Sequence, residues 1–296
     1  MGRSGLTDPP KFFYKYMTAE TAKIVLVTRQ LRWSSPLLFN DPFDVTQELR
    51  LNFDEGQLNA ALVERLALLV EQGNPSVSVK DLLLTKLLRG AIGASPEVRR
   101  KIAYELRQII TTPASEQTQA FKIVKETWRE MVPTFRVLCL SELNDVTPMW
   151  LHYADRYRGI VLEFSSVDIE SAFLVARPVV YQDTAPAIAD VNEWVSCMLG
   201  QRKYRDLFTE YQYVKTSEWA NEKEWRIVSG ARTGETELFG DYGFHLNDLS
   251  GIYFGEKCSG DDRRDLMVLL AHGLEHVRAY EAFSDSQQAK FVFRTV

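Results

Sequence analysis

The stretch from Lys215 to Arg226 concentrates the chain's most reactive side chains, with Lys215, Trp219, Glu222, Lys223, Glu224, Trp225 and Arg226 close together. If the chain is extended from Glu222 onward, the two-residue period of a strand puts Glu222, Glu224 and Arg226 on one face. Lys223, Trp225 and Ile227 then occupy the other. Trp219 and Trp225 bracket the acids, which suggests a walled cleft. There a carboxylate can orient a ribose hydroxyl or stabilise developing positive charge. On an open strand the same residues form only a solvated face with an Arg partner for the acids.

Three other motifs carry polar groups. Phe39-Asn40-Asp41-Pro42-Phe43-Asp44 joins side chains that cap their own backbone to a rigid Pro and two aromatics. An Asx turn pinned to the core by Phe39 and Phe43 and a loop that contacts a ligand both satisfy this pattern. Pro148 to Asp155 reads as a short helix with Trp150, Tyr153 and Ala154 on one face and His152 projecting elsewhere. His152 follows a strand and a loop, a position open to structural and catalytic roles alike. Ser34 and Ser35 end an early strand, where their hydroxyls can serve a ligand or only the local backbone.

Weaker signals read as structural. His272 and His276 are four apart on a predicted helix but lack the intervening Glu placement of a zincin. Lys86, Arg89, Arg99, Arg100, Lys101 and Arg107 form a basic stretch, a solvated helical face that is also the best candidate for an acidic partner. Cys139, Cys197 and Cys258 match neither a disulfide framework nor a zinc knuckle.

The elements that must position these groups alternate early and late and are helical between. Lys11 to Asp44 predicts a strand at Phe12–Tyr16, a helix over Ala19–Thr28 capped by Thr18, and a strand through Leu31–Ser35. Residues 54–132 predict a helical insertion packed beside the core, with Leu58, Leu62, Leu66 and Leu69 on one face. Helices follow at Lys80–Leu88, after Ser95-Pro96 and after Thr112-Pro113. Residues 1–53 and 133–296 form the core domain. Strands are expected at 135–140, 159–164, 175–181, 224–229, 251–254, 277–283 and 290–294, with helices from Thr147-Pro148 and over 187–211 and 261–276. That order predicts an α+β fold with a mixed or antiparallel sheet, a split one included, and flanking helices.

Composition sets the outer bounds. The chain has 296 residues, 45% apolar and 25% charged, which fits a globular protein with a large core. A net charge of -5 argues against a surface devoted to phosphate backbones. No charge-free stretch is long enough to span a bilayer, and the N-terminus has no apolar signal core. A cytoplasmic location with reduced thiols is expected, with no membrane association.

Taken in order, Tyr14-Lys15-Tyr16, Phe39 to Asp44, Cys139-Leu140-Ser141-Glu142, Met149-Trp150 with His152 to Asp155, then Lys215, Trp219 and Glu222 to Arg226 form a set. It resembles the prokaryotic family catalogued as domain of unknown function 2971. A more distant likeness is to ADP-ribosyltransferases, in which an early strand supplies a polar or aromatic residue, a second strand Ser or Tyr, and a late strand Glu. Those places would fall to Lys15 and Tyr16, to Ser34 and Ser35, and to Glu224. Glu222-Lys223-Glu224 is similar to the Glu-x-Glu of the arginine-modifying branch.

That likeness implies an enzyme using NAD as co-substrate and a protein or nucleic acid as acceptor, in the manner of a toxin or anti-phage defence effector. Glu224, Glu222 and His152 would be catalytic, with Glu224 on the nicotinamide ribose. Lys15, Tyr16, Trp33, Ser34, Ser35, Asn40, Asp41, Trp150, Tyr153, Lys215 and Arg226 would bind substrate, with Tyr16, Trp33 or Trp150 stacked on nicotinamide. The helical insertion would contact the partner, and no metal is expected. A non-enzymatic nucleotide-sensing or protein-interaction module is the first alternative. The second is a metal-dependent nuclease using Asp41, Asp44, Glu163 and Glu224.

Overall fold

The computed structural model describes residues 8–74, 82–108, 115–285, 287 and 290–296. In chain order the strands are β1 (Phe12–Met17), β2 (Gln30–Ser34), β3 (Phe135–Ser141), β4 (Ile160–Ser165), β5 (Arg177–Pro178) and β6 (Val180–Gln182). They continue with β7 (Val214–Thr216), β8 (Glu224–Gly230), β9 (Phe239–Gly243), β10 (Leu249–Phe254), β11 (Arg278–Asp285) and β12 (Lys290–Thr295). The helices are α1 (Ala19–Thr28), α2 (Glu55–Gln72), α3 (Leu82–Ile92), α4 (Pro96–Gln108), α5 (Ser115–Met131), α6 (Thr147–His152), α7 (Val191–Met198), α8 (Tyr204–Tyr211) and α9 (Gly260–Leu270). The fold is α+β, with a mixed sheet of many strands and a small second sheet of β6 and β7.

The chain forms two compact units. One comprises Met1–Asp44, Pro133–Thr184 and Tyr213–Val296; the other comprises Val45–Val132 and Ala185–Gln212. The helical unit therefore begins before residue 54 and takes in a second, later stretch.

In the first unit the strands run β12-β11-β10-β4-β1-β3-β2-β9, with β8 along β3 and β5 along β8. Among the described residues only β10 and β11 are parallel neighbours in this sheet, and α9 connects them. One face buries Phe13, Leu138, Leu162, Trp225, Ile227 and Ile252 against Ala22, Val25 and Leu26 of α1 and Leu266 and Leu270 of α9. The other buries Tyr16, Trp150, Val161, Tyr253 and Phe291. Each fully buried large apolar side chain contributes about 1.5–3 kcal/mol. Thr18 caps α1 by accepting from Thr21 N, and Arg29, left-handed at φ 58°, turns the chain into β2.

The helical unit is built from α2–α5, α7 and α8. Asp54 and Gln57 form a reciprocal capping box on α2. Trp128 is fully buried against Phe208 and Tyr211 and donates to the Thr46 carbonyl at 2.9 Å. The basic stretch is partly neutralised, because Arg107 pairs with Glu64 and Glu71.

Several local expectations differ from the structure. The strand expected over 175–181 is broken into a turn, β5 and β6, since Pro178 cannot donate to a continuous ladder. The long helix over 187–211 is two short ones separated at Gly200, which is left-handed at φ 70°. The helix expected to reach His276 stops at Leu270, so His272 and His276 do not share a helical face. Their rings face the carbonyls of Val268 and Leu246 instead. Thr112-Pro113 and Lys80 lie outside the described residues. No helix among the described residues is long and apolar enough to cross a membrane.

Candidate functional site

The sheet is split where β1, β2 and β3 meet. β3 follows β8 through seven residue pairs, from Phe135↔Gly230 to Ser141↔Glu224. Its other edge touches β1 only at Tyr14↔Ser141 and β2 only at Ser34↔Val137. Between those points the Cys139 carbonyl accepts from Lys15 Nζ at 2.8 Å, so an ammonium stands where a strand neighbour would donate.

A cavity of about 260 Å³ opens at this seam. β1 contributes Tyr14, Lys15 and Tyr16, β2 contributes Arg32 and Ser34, and the loop after β2 contributes Leu38, Phe39, Asn40, Asp41 and Asp44. Val137, Cys139 and Leu140 come from β3, Met149 from α6 and Tyr153 from its C-cap, and Lys215, Glu222 and Glu224 complete the lining.

Its floor is a buried ion network. Glu224 Oε1 accepts from Arg226 Nε at 2.7 Å, and its Oε2 accepts from Arg226 Nη2 at 3.1 Å and from Lys215 Nζ at 3.0 Å. Lys215 Nζ also donates to Glu222 Oε2 at 2.7 Å, and the Tyr153 hydroxyl donates to Glu222 Oε1 at 2.9 Å. Arg226 closes the set with a fork onto both oxygens of Asp44, at 3.0 and 2.5 Å. The five groups comprise three acids and two bases, so one acid is in surplus.

Burial alone would raise the Glu224 pKa, but Arg226 and Lys215 outweigh it and hold the carboxyl at about 2. Desolvation likewise opposes the Lys215 charge, yet Glu224 and Glu222 keep its pKa well above the ordinary lysine range. Burial pushes Asp44 up against the pull of Arg226. Burial, followed by the charge of Glu222, raises Tyr153, so its hydroxyl stays a donor.

The backbone explains how both glutamates reach one cavity. Glu222 is not in the strand, as the period-two reading requires, but ends a 3₁₀ turn over Ser217–Glu222. Lys223 is then left-handed at φ 47°, and β8 starts at Glu224. Ser141 Oγ donates to the Glu222 carbonyl at 2.7 Å and Glu142 N to the Lys223 carbonyl at 3.1 Å, which fixes the turn. The Tyr181 hydroxyl accepts from Glu224 N at 2.8 Å.

Nine expected site residues line the cavity: Lys15, Tyr16, Ser34, Asn40, Asp41, Tyr153, Lys215, Glu222 and Glu224. Arg226 lies beneath them, 1% exposed. The others are elsewhere. His152 is exposed and outside the lining, to which this stretch gives Met149 of α6 and Tyr153 at its C-cap. Trp150 is fully buried and donates through Nε1 to the Asn144 carbonyl, leaving no face for a ligand. Trp33 alternates to the far side of β2 and packs on Tyr242 at 5.1 Å. Ser35 is buried and caps the following turn by accepting from Leu37 N.

Two anchoring expectations also change. Trp225 packs into the core beside Phe13 and donates to Glu142, so it does not wall the cleft; Trp219 does lie near the network, with Lys215 Nζ 4.7 Å from its ring. Phe43 is 48% exposed, whereas Phe39 faces the Arg226 guanidinium. Of the acids named for a nuclease, Asp41, Asp44 and Glu224 line the cavity, Asp44 and Glu224 being bound to Arg226, while Glu163 is held by Tyr253 and Ser250.

Asp44, Tyr14, Cys139 and Tyr181 were not among the expected transferase site residues. Asp44 was foreseeable, since an Arg buried in a strand needs acids to match its donors.

The family model described as protein of unknown function (DUF2971) matches residues 149–227. That span runs from α6 into β8 and includes Tyr153, Lys215, Glu222, Glu224 and Arg226. No curated protein and no solved structure matches the chain significantly.

Proposed function

We propose that the seam cavity binds an NAD-type dinucleotide and that the chain transfers its ADP-ribosyl group to a protein or nucleic-acid acceptor. The observation that carries this reading is the convergence of Lys15 and Tyr16, Ser34, and the Glu222–Glu224 pair on one cavity at a split in the sheet. These are the places the transferase likeness assigns to an early, a second and a late strand.

In this chemistry the bond between nicotinamide nitrogen and ribose C1′ breaks and its electron pair leaves with nicotinamide. Positive charge develops on the ribose, and a floor with one surplus carboxylate stabilises it. Glu224 already accepts three hydrogen bonds from two cations, whereas Glu222 accepts two. Glu222 therefore keeps more acceptor capacity and is the carboxylate that faces the ribose and takes the acceptor's proton. Glu224 holds Lys215 and Arg226 in place. The aromatic rings of Tyr14, Tyr16 and Tyr153 supply stacking surface.

The cavity is somewhat smaller than the roughly 300–1,000 Å³ typical of ligand pockets. It suits the nicotinamide riboside half, with the adenylate half outside it. A cytosolic setting and a toxin or defence role belong to the same reading.

A binding-only nucleotide sensor is favoured by one observation: both glutamates are already tied to Lys215. Purified full-length protein incubated with adenylate-labelled NAD and cell lysate distinguishes the two. Label on macromolecules with release of nicotinamide supports transfer; saturable binding without release supports the sensor. Absence of binding contradicts both.

A further inference from the structure

The loop after β2 holds a carboxylate that the network does not use. Asp41 is 7% exposed and lines the cavity. Its Oδ1 accepts from Phe43 N at 2.8 Å, which makes the Asx turn. Its Oδ2 is buried with no partner among the protein atoms. A buried carboxylate oxygen left without a donor is costly, and the residue that carries it here lines the cavity.

The other acids of that wall are committed: Asp44 to Arg226, Glu224 to Arg226 and Lys215, and Glu222 to Lys215 and Tyr153. Asp41 is the acid in the cavity without a side-chain partner of its own among the described residues.

We infer that Asp41 is the cavity's specificity-determining acceptor, whose Oδ2 takes an N–H donor from the ligand and so selects a neutral carboxamide over a carboxylate. The inference rests on the NAD reading and names the part of the ligand that Asp41 recognises. An amide presents N–H groups to Oδ2. The corresponding carboxylate presents only acceptors and a charge like that of Asp41.

Sites built to hydrogen-bond a polar group reject analogues lacking it, because the site's own group is then left unpaired. Asp41→Asn is the informative change. Asn retains an oxygen to accept from Phe43 N, so the turn is kept, and it replaces the unpartnered acceptor with a donor.

The test is isothermal titration of the full chain with NAD and with nicotinic acid adenine dinucleotide, for wild type and Asp41→Asn. The wild type is expected to prefer NAD by about tenfold or more, and the variant to lose or invert that preference. Equal affinity of the wild type for the two dinucleotides overturns the inference, as does a preference unchanged in Asp41→Asn. Failure of the wild type to bind either dinucleotide is a different result and overturns the NAD reading itself.

Discussion

Two buried glutamates of the first unit are satisfied in opposite ways. Glu163 on β4 accepts from the hydroxyls of Tyr253 at 2.5 Å and Ser250 at 2.7 Å, with Tyr14 beside it. Its cation, Arg278, is 3.9 Å away on a side chain 60% exposed. Glu224 on β8 is held by the charged donors of Arg226 and Lys215. Neutral hydroxyls suffice to fix a carboxylate in packed surroundings. A network of buried charges adds little net stability over well-packed apolar residues of similar volume. Glu224 and its partners therefore carry the functional reading, and Glu163 does not.

The largest expected difference comes from removing a cation. Arg226→Met leaves Asp44 and Glu224 buried beside each other without their guanidinium, and should lower stability by about 3–5 kcal/mol. Urea unfolding measures this, and a loss well under 1 kcal/mol would mean that the network is solvated in solution.

Acid titration sharpens the contrast. The folded Glu224 pKa of about 2 lies below its ordinary value of 4.5. Its ion pairs therefore stabilise the fold at pH above about 4.5, and that contribution is lost as pH falls toward 2. The loss is on the order of 3 kcal/mol, and Glu224→Gln should flatten the stability profile between pH 5 and 2, in an interval set by those two values. A profile as steep as that of the wild type would assign the acid sensitivity to other groups.

Glu163→Gln keeps the size of the side chain and one acceptor oxygen, and should lower stability by about 1–2 kcal/mol while dinucleotide binding stays as in wild type. Weakened binding would break the distinction between the two glutamates. The smallest effect on stability is expected for Tyr153→Phe, which removes one hydrogen bond to Glu222 and about 1 kcal/mol. Thermal melts measure it.

The sequence reveals the first unit's elements where burial enforces a period. β1, α1, β2, β3 and β4 fall within a residue or two of the pattern, because Phe13, Leu31, Leu138 and Leu162 face one core. β7 and β9 escape it: the first is three residues long and the second contains Gly240 and Gly243, so neither offers an apolar alternation. The motif order signalled the convergence of Lys15, Ser34, Asp41 and Glu224. The failures at Trp33, Trp150 and Trp225 share one cause. An indole reads equally as a wall or as core, and strand alternation or helix facing decides which only when the partner element is known. His152 failed similarly, since a six-residue helix buries one side and the sequence does not say which.

The central claim is that the seam cavity binds an NAD-type dinucleotide and that its surplus carboxylate drives loss of nicotinamide. Single-turnover nicotinamide release, measured with Glu222→Gln alongside wild type at saturating NAD, tests it most directly. The account predicts release by the wild type, and a fall of about 10²–10³-fold in the variant with dinucleotide affinity changed by less than about threefold. Release at the wild-type rate from Glu222→Gln, or none from a wild type that binds NAD, would contradict it.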